Sequence, residues 1–282
     1  MNFTTLISIT ELARHLDDPN WVTLDCRFYL TDPPRGRSEY LQAHIPGAVY
    51  AHLDEDLSGP VVHGQTGRHP LPNPEIAAQK FSDWGIGPDT QVVAYDSAGG
   101  GLAAGRAWWM LGWLGHPAAA VLDGGWQAWQ RQGLPVQGGI EANAPRLFIP
   151  HEHPEKVVNT SQVNSMRLDP KFLVFDARTA ERYRGDNETI DPVAGHIPGA
   201  LSAPYLENLT QDGAFQTVAE LRKYYQSLLQ DVPVENAVFY CGSGVTSIVN
   251  ILALAHAGMG QARLYAGSWS EWISDPQRPV AK

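Results

Sequence analysis

Cysteine is nearly missing from this chain: two occur in 282 residues, Cys26 and Cys241. They stand far apart and in different halves, which argues against the disulfide framework that staples small secreted domains. There is no C-x-x-C and no H-x-x-x-H spacing, hence no metal signature, and neither a metal nor a cofactor is expected. Positive charge is scarce as well. Twenty Lys and Arg face 30 Asp and Glu, a formal net charge of −10. A nucleic-acid or anionic-membrane surface expects a basic patch, so neither partner is expected here. No apolar run approaches the length of a membrane span. The first twenty residues lack a basic stretch followed by a long apolar one, and read as a strand and a short helix instead of a signal peptide. Together these absences point to a reducing cytoplasm, where a free thiol persists.

What the chain does have is aromatic bulk and repetition. Nine Trp and ten Tyr supply a core, and the length suits two ordinary domains. Residues 21–28 (WVTLDCRF) answer 172–179 (FLVFDART), and HIPGA occurs at 44–48 and again at 196–200. QVVAYDSAGGGLAAG (91–105) matches NAVFYCGSGVTSIVN (236–250), and LDGGWQAWQRQGLPV matches LYAGSWSEWISDPQRPV. The matches keep their order at a spacing of about 150 residues, too long for a solenoid unit and right for a duplicated domain. Within each copy, short apolar strands (22–25, 92–95, 173–176, 237–240) alternate with helical stretches such as 101–114 and 246–257. That alternation predicts an α/β fold with a mostly parallel sheet flanked by helices, and a ligand site off the carboxyl ends of the strands. The stretch 136–159 is rich in Gly, Pro and charge and reads as a linker.

Cys241 is the residue with chemistry. A strand ends on it, a Gly-rich loop follows, and a helix begins at once. A sulfur held there meets inward amides and the positive end of a helix, which favours the thiolate. A buried structural cysteine is the plain alternative, but core packing has no need of Gly242 and Gly244. In the first copy the matching position holds Asp96, and a carboxylate cannot carry a sulfane sulfur.

The tandem copies, the two HIPGA motifs, DART followed by RYRG, and the closing GSWSEW together resemble the two-domain rhodanese sulfurtransferases over nearly the whole chain. CGSGVTS is similar to the loop of the 3-mercaptopyruvate branch; thiosulfate-preferring relatives carry two basic residues where this chain has Gly242 and Ser243. The resemblance implies two tandem rhodanese-like domains: residues 1–137 as a scaffold without the catalytic cysteine, a linker at 138–159, and a catalytic domain at 160–282. It implies a sulfurtransferase that moves sulfur from a small anionic donor, 3-mercaptopyruvate or alternatively thiosulfate, to a thiol or cyanide through a Cys241 persulfide. Thioredoxin is among the acceptors it brings into view. It assigns Gly242, Gly244, Val245 and Thr246 to the loop that cradles the persulfide and Arg182 to the donor anion. It also matches Ser243, His69 and Asp54 to a hydroxyl–His–Asp proton relay. A second arginine, present a few residues after Arg182 in animal relatives, is absent from 186–196; Arg184 and Arg68 are the residues that could replace it.

Two rival readings are weaker. A Cys-loop phosphatase needs an arginine closing the loop, and this chain has Ser247 six residues after Cys241 and no basic residue between. A non-catalytic interaction module suits the first copy but not the second, where the cysteine loop is intact. Asp25, Asp176, His44 and His196 recur in both copies and read as structural, as do Trp126, Trp129, Trp269 and Trp272. Cys26 stands where the other copy has Ala177 and reads as a buried filler.

Overall fold

The computed structural model describes residues 2–99 and 101–282, which divide into two compact units. The first comprises residues 1–59, 72–153 and 211–215; the second comprises 60–71, 154–210 and 216–282.

In chain order the first unit contains β1 (Leu6–Ile7), α1 (Ile9–Ala13), β2 (Trp21–Asp25), α2 (Pro33–Gln42), β3 (Val49–Tyr50), α3 (Pro74–Asp83), β4 (Gln91–Tyr95), α4 (Ala103–Trp113), β5 (Ala119–Leu122) and α5 (Gly125–Arg131). Its sheet runs β1-β5-β4-β2-β3, with every pair parallel. The second contains β6 (Val157–Val158), α6 (Thr160–Met166), β7 (Leu173–Asp176), α7 (Ala180–Arg184), β8 (Leu201–Ser202), α8 (Val218–Leu229), β9 (Ala237–Tyr240), α9 (Ile248–His256), β10 (Arg263–Tyr265) and α10 (Ser268–Trp272). Its sheet runs β6-β10-β9-β7-β8, again all parallel. The two orders are identical, as a duplication requires.

Local chemistry explains the elements. The central strands β4 and β9 are buried at every residue, as continuous apolar strands covered on both faces are. Asn73 caps α3, with Pro74 at its first position, and Asn159 with Gln162 and Thr217 with Glu220 form capping boxes on α6 and α8. Trp126 and Trp129 sit in one apolar core and Trp269 and Trp272 in the other.

Each sheet also carries one buried polar clamp. Arg27 Nη2 donates to Asp25 Oδ2 at 2.6 Å and to the Ala43 carbonyl at 2.6 Å; Arg178 Nη2 does the same with Asp176 Oδ2 and the Gly195 carbonyl, each at 2.6 Å. The guanidinium carbons lie 4.4 Å and 4.7 Å from the Trp126 and Trp269 ring centres. His44 and His196 stack on Tyr40 and Tyr183 and pair through Nδ1 with the carbonyls of those tyrosines. These recurring residues hold the fold. Cys26 is fully buried, and burial with the nearby Asp96 and Asp25 charges pushes its thiol well above the usual range, so it stays neutral.

The Gly- and Pro-rich stretch is shared between the units. Residues up to 153 pack on the first: Gly139 N donates to Leu41 O at 2.9 Å and His151 N to Leu114 O at 2.9 Å. From 154 the chain belongs to the second unit, where Val157 and Val158 pair with β10 just before α6. The segment 60–71, from the first half of the sequence, folds with the second unit. No helix among the described residues is long and apolar enough to cross a membrane, and no cluster of three or more His, Cys, Asp or Glu side chains among them could hold a metal ion.

Candidate active site

β9 delivers Cys241 to the carboxyl edge of the second sheet, and the loop 242–247 turns the chain into α9. Gly244 makes the turn possible. Its φ is +74°, and a Cβ there would meet the Ala266 carbonyl oxygen at 2.3 Å. The loop is pinned from behind by the start of α10. Cys241 N donates to Ser268 Oγ at 3.1 Å, Trp269 N to Cys241 O at 3.0 Å, and Ser270 N to Gly242 O at 3.0 Å.

The Cys241 sulfur is buried, with the residue 1% exposed. Burial pushes its thiol upward. The backbone N–H groups of Ser243, Ser247 and Val245, with the Ser247 hydroxyl, outweigh that burial and hold it below the ordinary thiol range. The Ser247 hydroxyl is itself buried and closes no hydrogen bond of normal geometry among the described residues, which leaves it available to the sulfur. The result is a sulfur whose thiolate form is favoured by protein dipoles. Val245 belongs to this ring; Thr246 accepts Val249 N at 3.1 Å through its carbonyl and so helps open α9. Ser247 was legible only as the residue that fails to close a phosphatase loop, yet it contributes two donors.

Ser243 has a second role. Its Oγ lies 2.8 Å from His69 Nδ1, and both residues are buried. His69 reaches the loop because the 60–71 segment folds with this unit, its Arg68 N donating to Ser270 Oγ at 3.0 Å. Gly67 fits tightly there: a Cβ would lie 2.3 Å from the Gly267 carbonyl oxygen. Asp54 belongs to the first unit, where its backbone N–H donates to His52 Nδ1 at 3.2 Å and burial raises its carboxyl above the usual value.

Two guanidinium groups stand beside the loop. A Cβ on Gly242 would lie 3.1 Å from Arg68 Nη2 and 3.6 Å from Arg182 Nη2. Glycine at 242 therefore leaves room for both. Arg182 Nε donates to both Glu188 oxygens at 3.1 and 3.0 Å, and its Nη2 donates to Glu188 Oε1 and Asp191 Oδ2, each at 2.9 Å. Arg68 Nη1 donates to Asp191 Oδ1 at 2.7 Å. Glu188 is buried, which raises its carboxyl, but Arg182 and the amides of Asp191 and Ile190 bring it below the usual range. Arg184 pairs with Asp186 at 2.7 Å on the exposed side, so Arg68 stands at the loop and Arg184 does not. Sequence patterning missed Glu188 and Asp191. The stretch 186–196 drew attention for its lack of arginine, while its carboxylates are what hold the two arginines in place.

A parallel α/β domain with a thiolate in a ring of amides at its strand ends defines the rhodanese class of sulfur-carrying site. The rhodanese-like domain model matches residues 8–132 and 159–275. A Pseudomonas aeruginosa protein named "Probable 3-mercaptopyruvate sulfurtransferase" is 46% identical over 100% of this chain and 99% of its own. A Mycobacterium tuberculosis relative bearing a thiosulfate sulfurtransferase name is 38% identical over 98% of this chain and 96% of its own. The solved 3-mercaptopyruvate sulfurtransferase from Leishmania major superposes with a TM-score of 0.85 at 31% identity, over 98% of this chain and 75% of that one. The chain belongs to the two-domain rhodanese family of sulfurtransferases.

Proposed function

We propose that this enzyme takes sulfur from 3-mercaptopyruvate and passes it to a thiol or to cyanide, with Cys241 as the carrier. The observation that carries the reading is the Cys241 sulfur inside a ring of backbone amides, with the Ser243 hydroxyl held at 2.8 Å by His69. The Cys241 thiolate attacks the donor sulfur and an S–S bond forms. The C–S bond breaks, and its electron pair stays on the donor carbon as the enolate of pyruvate. A proton completes pyruvate, and in this reading the Ser243–His69 pair supplies it. Asp54 is the third member of the relay on the family resemblance alone. In the second half-reaction the acceptor attacks the outer sulfur and Cys241 leaves as a thiolate, stabilised by the same amides. Gly242, Gly244, Val245 and Thr246 shape the cradle, and Arg182 contributes positive charge at its mouth.

The balance of charge favours mercaptopyruvate over thiosulfate. Arg68, Arg178 and Arg182 are matched by Asp176, Glu188 and Asp191. A neutral cluster accepts a single carboxylate more readily than a compact dianion. Thiosulfate is the second reading, favoured by the two guanidiniums that reach the loop even though its sequence holds no basic residue. The proposed acceptor is a thiol, with thioredoxin and glutathione as candidates, or cyanide, and the proposed setting is a reducing cytoplasm. Both cysteines are free and buried, which suits that compartment.

The test is kcat/KM for the two donors, together with the mass of the protein after exposure to each. Mercaptopyruvate is expected to give the higher kcat/KM and to add one sulfur atom to Cys241. Cys241→Ser should carry no sulfur and lose turnover, while Cys26→Ser keeps both. Preference for thiosulfate, or sulfur on the Cys241→Ser variant, would overturn the reading.

A further inference from the structure

The first unit has Asp96 where the second has its sulfur carrier, so its surface is the part of the chain that the reaction leaves unused. An open groove crosses that surface. Arg37 and Leu41 of α2 line one side, and Lys80, Asp83 and Trp84 at the end of α3 line the other. The segment 139–143 spans the two: Gly139 N donates to Leu41 O at 2.9 Å and Asn143 Nδ2 to Trp84 O at 3.0 Å. The hollow measures about 420 Å³. It continues along α2 into a second of about 600 Å³, which shares Arg37, Leu41 and Glu55 with it. Every lining residue of both belongs to the first unit.

Two features of the groove point outside the chain. Ile140 is 82% exposed, yet its backbone is fixed, because Gly139 N is held by Leu41 O and Glu141 N by the Tyr40 hydroxyl at 3.0 Å. Leu41, 42% exposed, lines the same hollow. Exposed aliphatic surface with a polar rim marks a place that meets another molecule. The rim, moreover, is acidic. Glu55, Asp56, Asp83 and Glu141 face two cations, Arg37 and Lys80. Arg37 pairs with Glu55 at 2.5 Å and Lys80 with Asp56 at 2.8 Å. Among the described residues Asp83 and Glu141 accept only neutral side-chain amides, from Gln79 and Gln137, so two negative charges stand in excess. Asp83 is also the last residue of α3, where the helix dipole favours a cation. An acid kept there against the local preference is a cost to the isolated fold, of the kind that function explains.

We infer that this groove docks a partner protein through a short segment that carries Lys or Arg on either side of a large aliphatic side chain. The cations meet Asp83 and Glu141, and the aliphatic group packs on Ile140 and Leu41. The ten residues of α2 make a wall about 15 Å long, which matches about four residues of extended chain and exceeds any single side chain. A second copy of this chain is the poorer occupant, because it brings a net charge of −10 to an acidic rim. None of the residues on which the inference rests belongs to the Cys241 site. The copy without the cysteine thereby serves as an interaction module joined to the catalytic copy.

The probe is a fluorescein-labelled peptide in which lysine and leucine alternate, GKLKLKG, titrated with the whole chain and read by anisotropy at physiological salt. Saturable binding is expected, weakening as added salt screens the charges. Asp83→Lys combined with Glu141→Lys should weaken it by about tenfold or more. Asp231→Lys combined with Glu235→Lys makes the same change of charge on the exposed surface of the second unit and should weaken it by less than about twofold. Ile140→Ser removes the aliphatic contact and should cost about tenfold, as should replacing the leucines of the peptide by glycine. Asp83→Lys alone should leave the midpoint of a denaturant melt unchanged or raised, because it relieves the end of α3. Equal binding by the wild type and the Asp83/Glu141 variant overturns the assignment. So does equal loss in the Asp231/Glu235 variant, or a glycine-substituted peptide that binds as tightly. A dimer seen in sedimentation equilibrium and abolished by Ile140→Ser would give the groove to a second copy and overturn the partner.

Discussion

In the first copy, Asp96 follows β4 and its carboxylate accepts the amides of Ala98 at 2.8 Å, Leu102 at 2.8 Å and Ala104 at 3.0 Å. In the second, Cys241 follows β9 and its sulfur is held by the amides of Ser243, Val245 and Ser247. Ala98 and Ser243 stand two residues after their respective anions, and Leu102 and Ser247 stand six after. The loops are one anion cradle built twice. The rear anchor is repeated as well: Trp126 N donates to Asp96 O and Trp269 N to Cys241 O, both at 3.0 Å. The copies differ in what fills the cradle. Asp96 fills its own with a side-chain carboxylate. Cys241 fills its own with a sulfur, the atom that carries the transferred sulfur in the function proposed above. The backbone needs an anion in either case, so catalysis in the second copy uses a structural requirement that the first copy meets with a side chain alone.

The largest effect should come from emptying the silent cradle. Asp96→Ala leaves three amides, at a buried site, without their acceptor. Hydrogen bonds to a charged group contribute about 1.5–3 kcal/mol, so a loss of roughly 3 kcal/mol or more is expected in a denaturant melt. Asp96→Cys sharpens the comparison. A thiolate there can occupy the same amides, so this variant should be more stable than Asp96→Ala. Combined with Cys241→Ser it should still transfer no sulfur, because His69, Arg68 and Arg182 attend the second loop. Turnover by that double variant would break the comparison, since it would make the cradle alone sufficient.

The duplicated architecture was legible because parallel strands buried on both faces leave long apolar runs, and two sets of them recur in register. Cys241 stood out because two glycines follow it at a strand-to-helix turn, where an apolar core calls for none. The partners of Cys241 were harder to read. His69 lies 174 residues from Ser243 in sequence, and nothing in GRHPLP says which sheet the segment will join; the family resemblance supplied it. Arg68 and Asp191 lay beyond patterning for a related reason. An ion pair across 123 residues leaves no periodicity. Composition does not show how a Pro- and Gly-rich stretch packs: its amides can find carbonyl partners, as those of 139 and 151 do.

A smaller effect separates the cradles by pH. Cys241 titrates below the ordinary thiol range, so its thiolate is present above that lowered value and is lost as pH falls through it. Ser247→Ala removes one of the donors that favour the thiolate. The pH at which the thiolate disappears should then move upward. Persulfide formation should weaken more in acid than in alkali, as read from the rate of sulfur loading across pH. An unshifted profile would mean that the backbone amides set the thiolate without the hydroxyl.

The smallest effect concerns the residue behind the nucleophile. Gly125 and Ser268 occupy matching places in the two copies, and both have φ of +55°. Glycine adopts that conformation freely; serine does so at a cost of about 1–3 kcal/mol. The second copy accepts this strain and gains a buried hydroxyl that takes Cys241 N at 3.1 Å and donates to Tyr265 O at 2.9 Å. Ser268→Gly removes the strain and the hydrogen bond together, two terms of similar size and opposite sign. Its stability should therefore stay within about 1 kcal/mol of wild type. Ser268→Ala keeps the strain and leaves the Cys241 amide without its acceptor, so it should be the less stable of the two. Both variants free the backbone at the nucleophile, and kcat should fall several-fold in each while KM for the donor changes little. If Ser268→Gly retains full kcat, the strained serine contributes nothing to holding Cys241, and the copies differ at this position without consequence for catalysis.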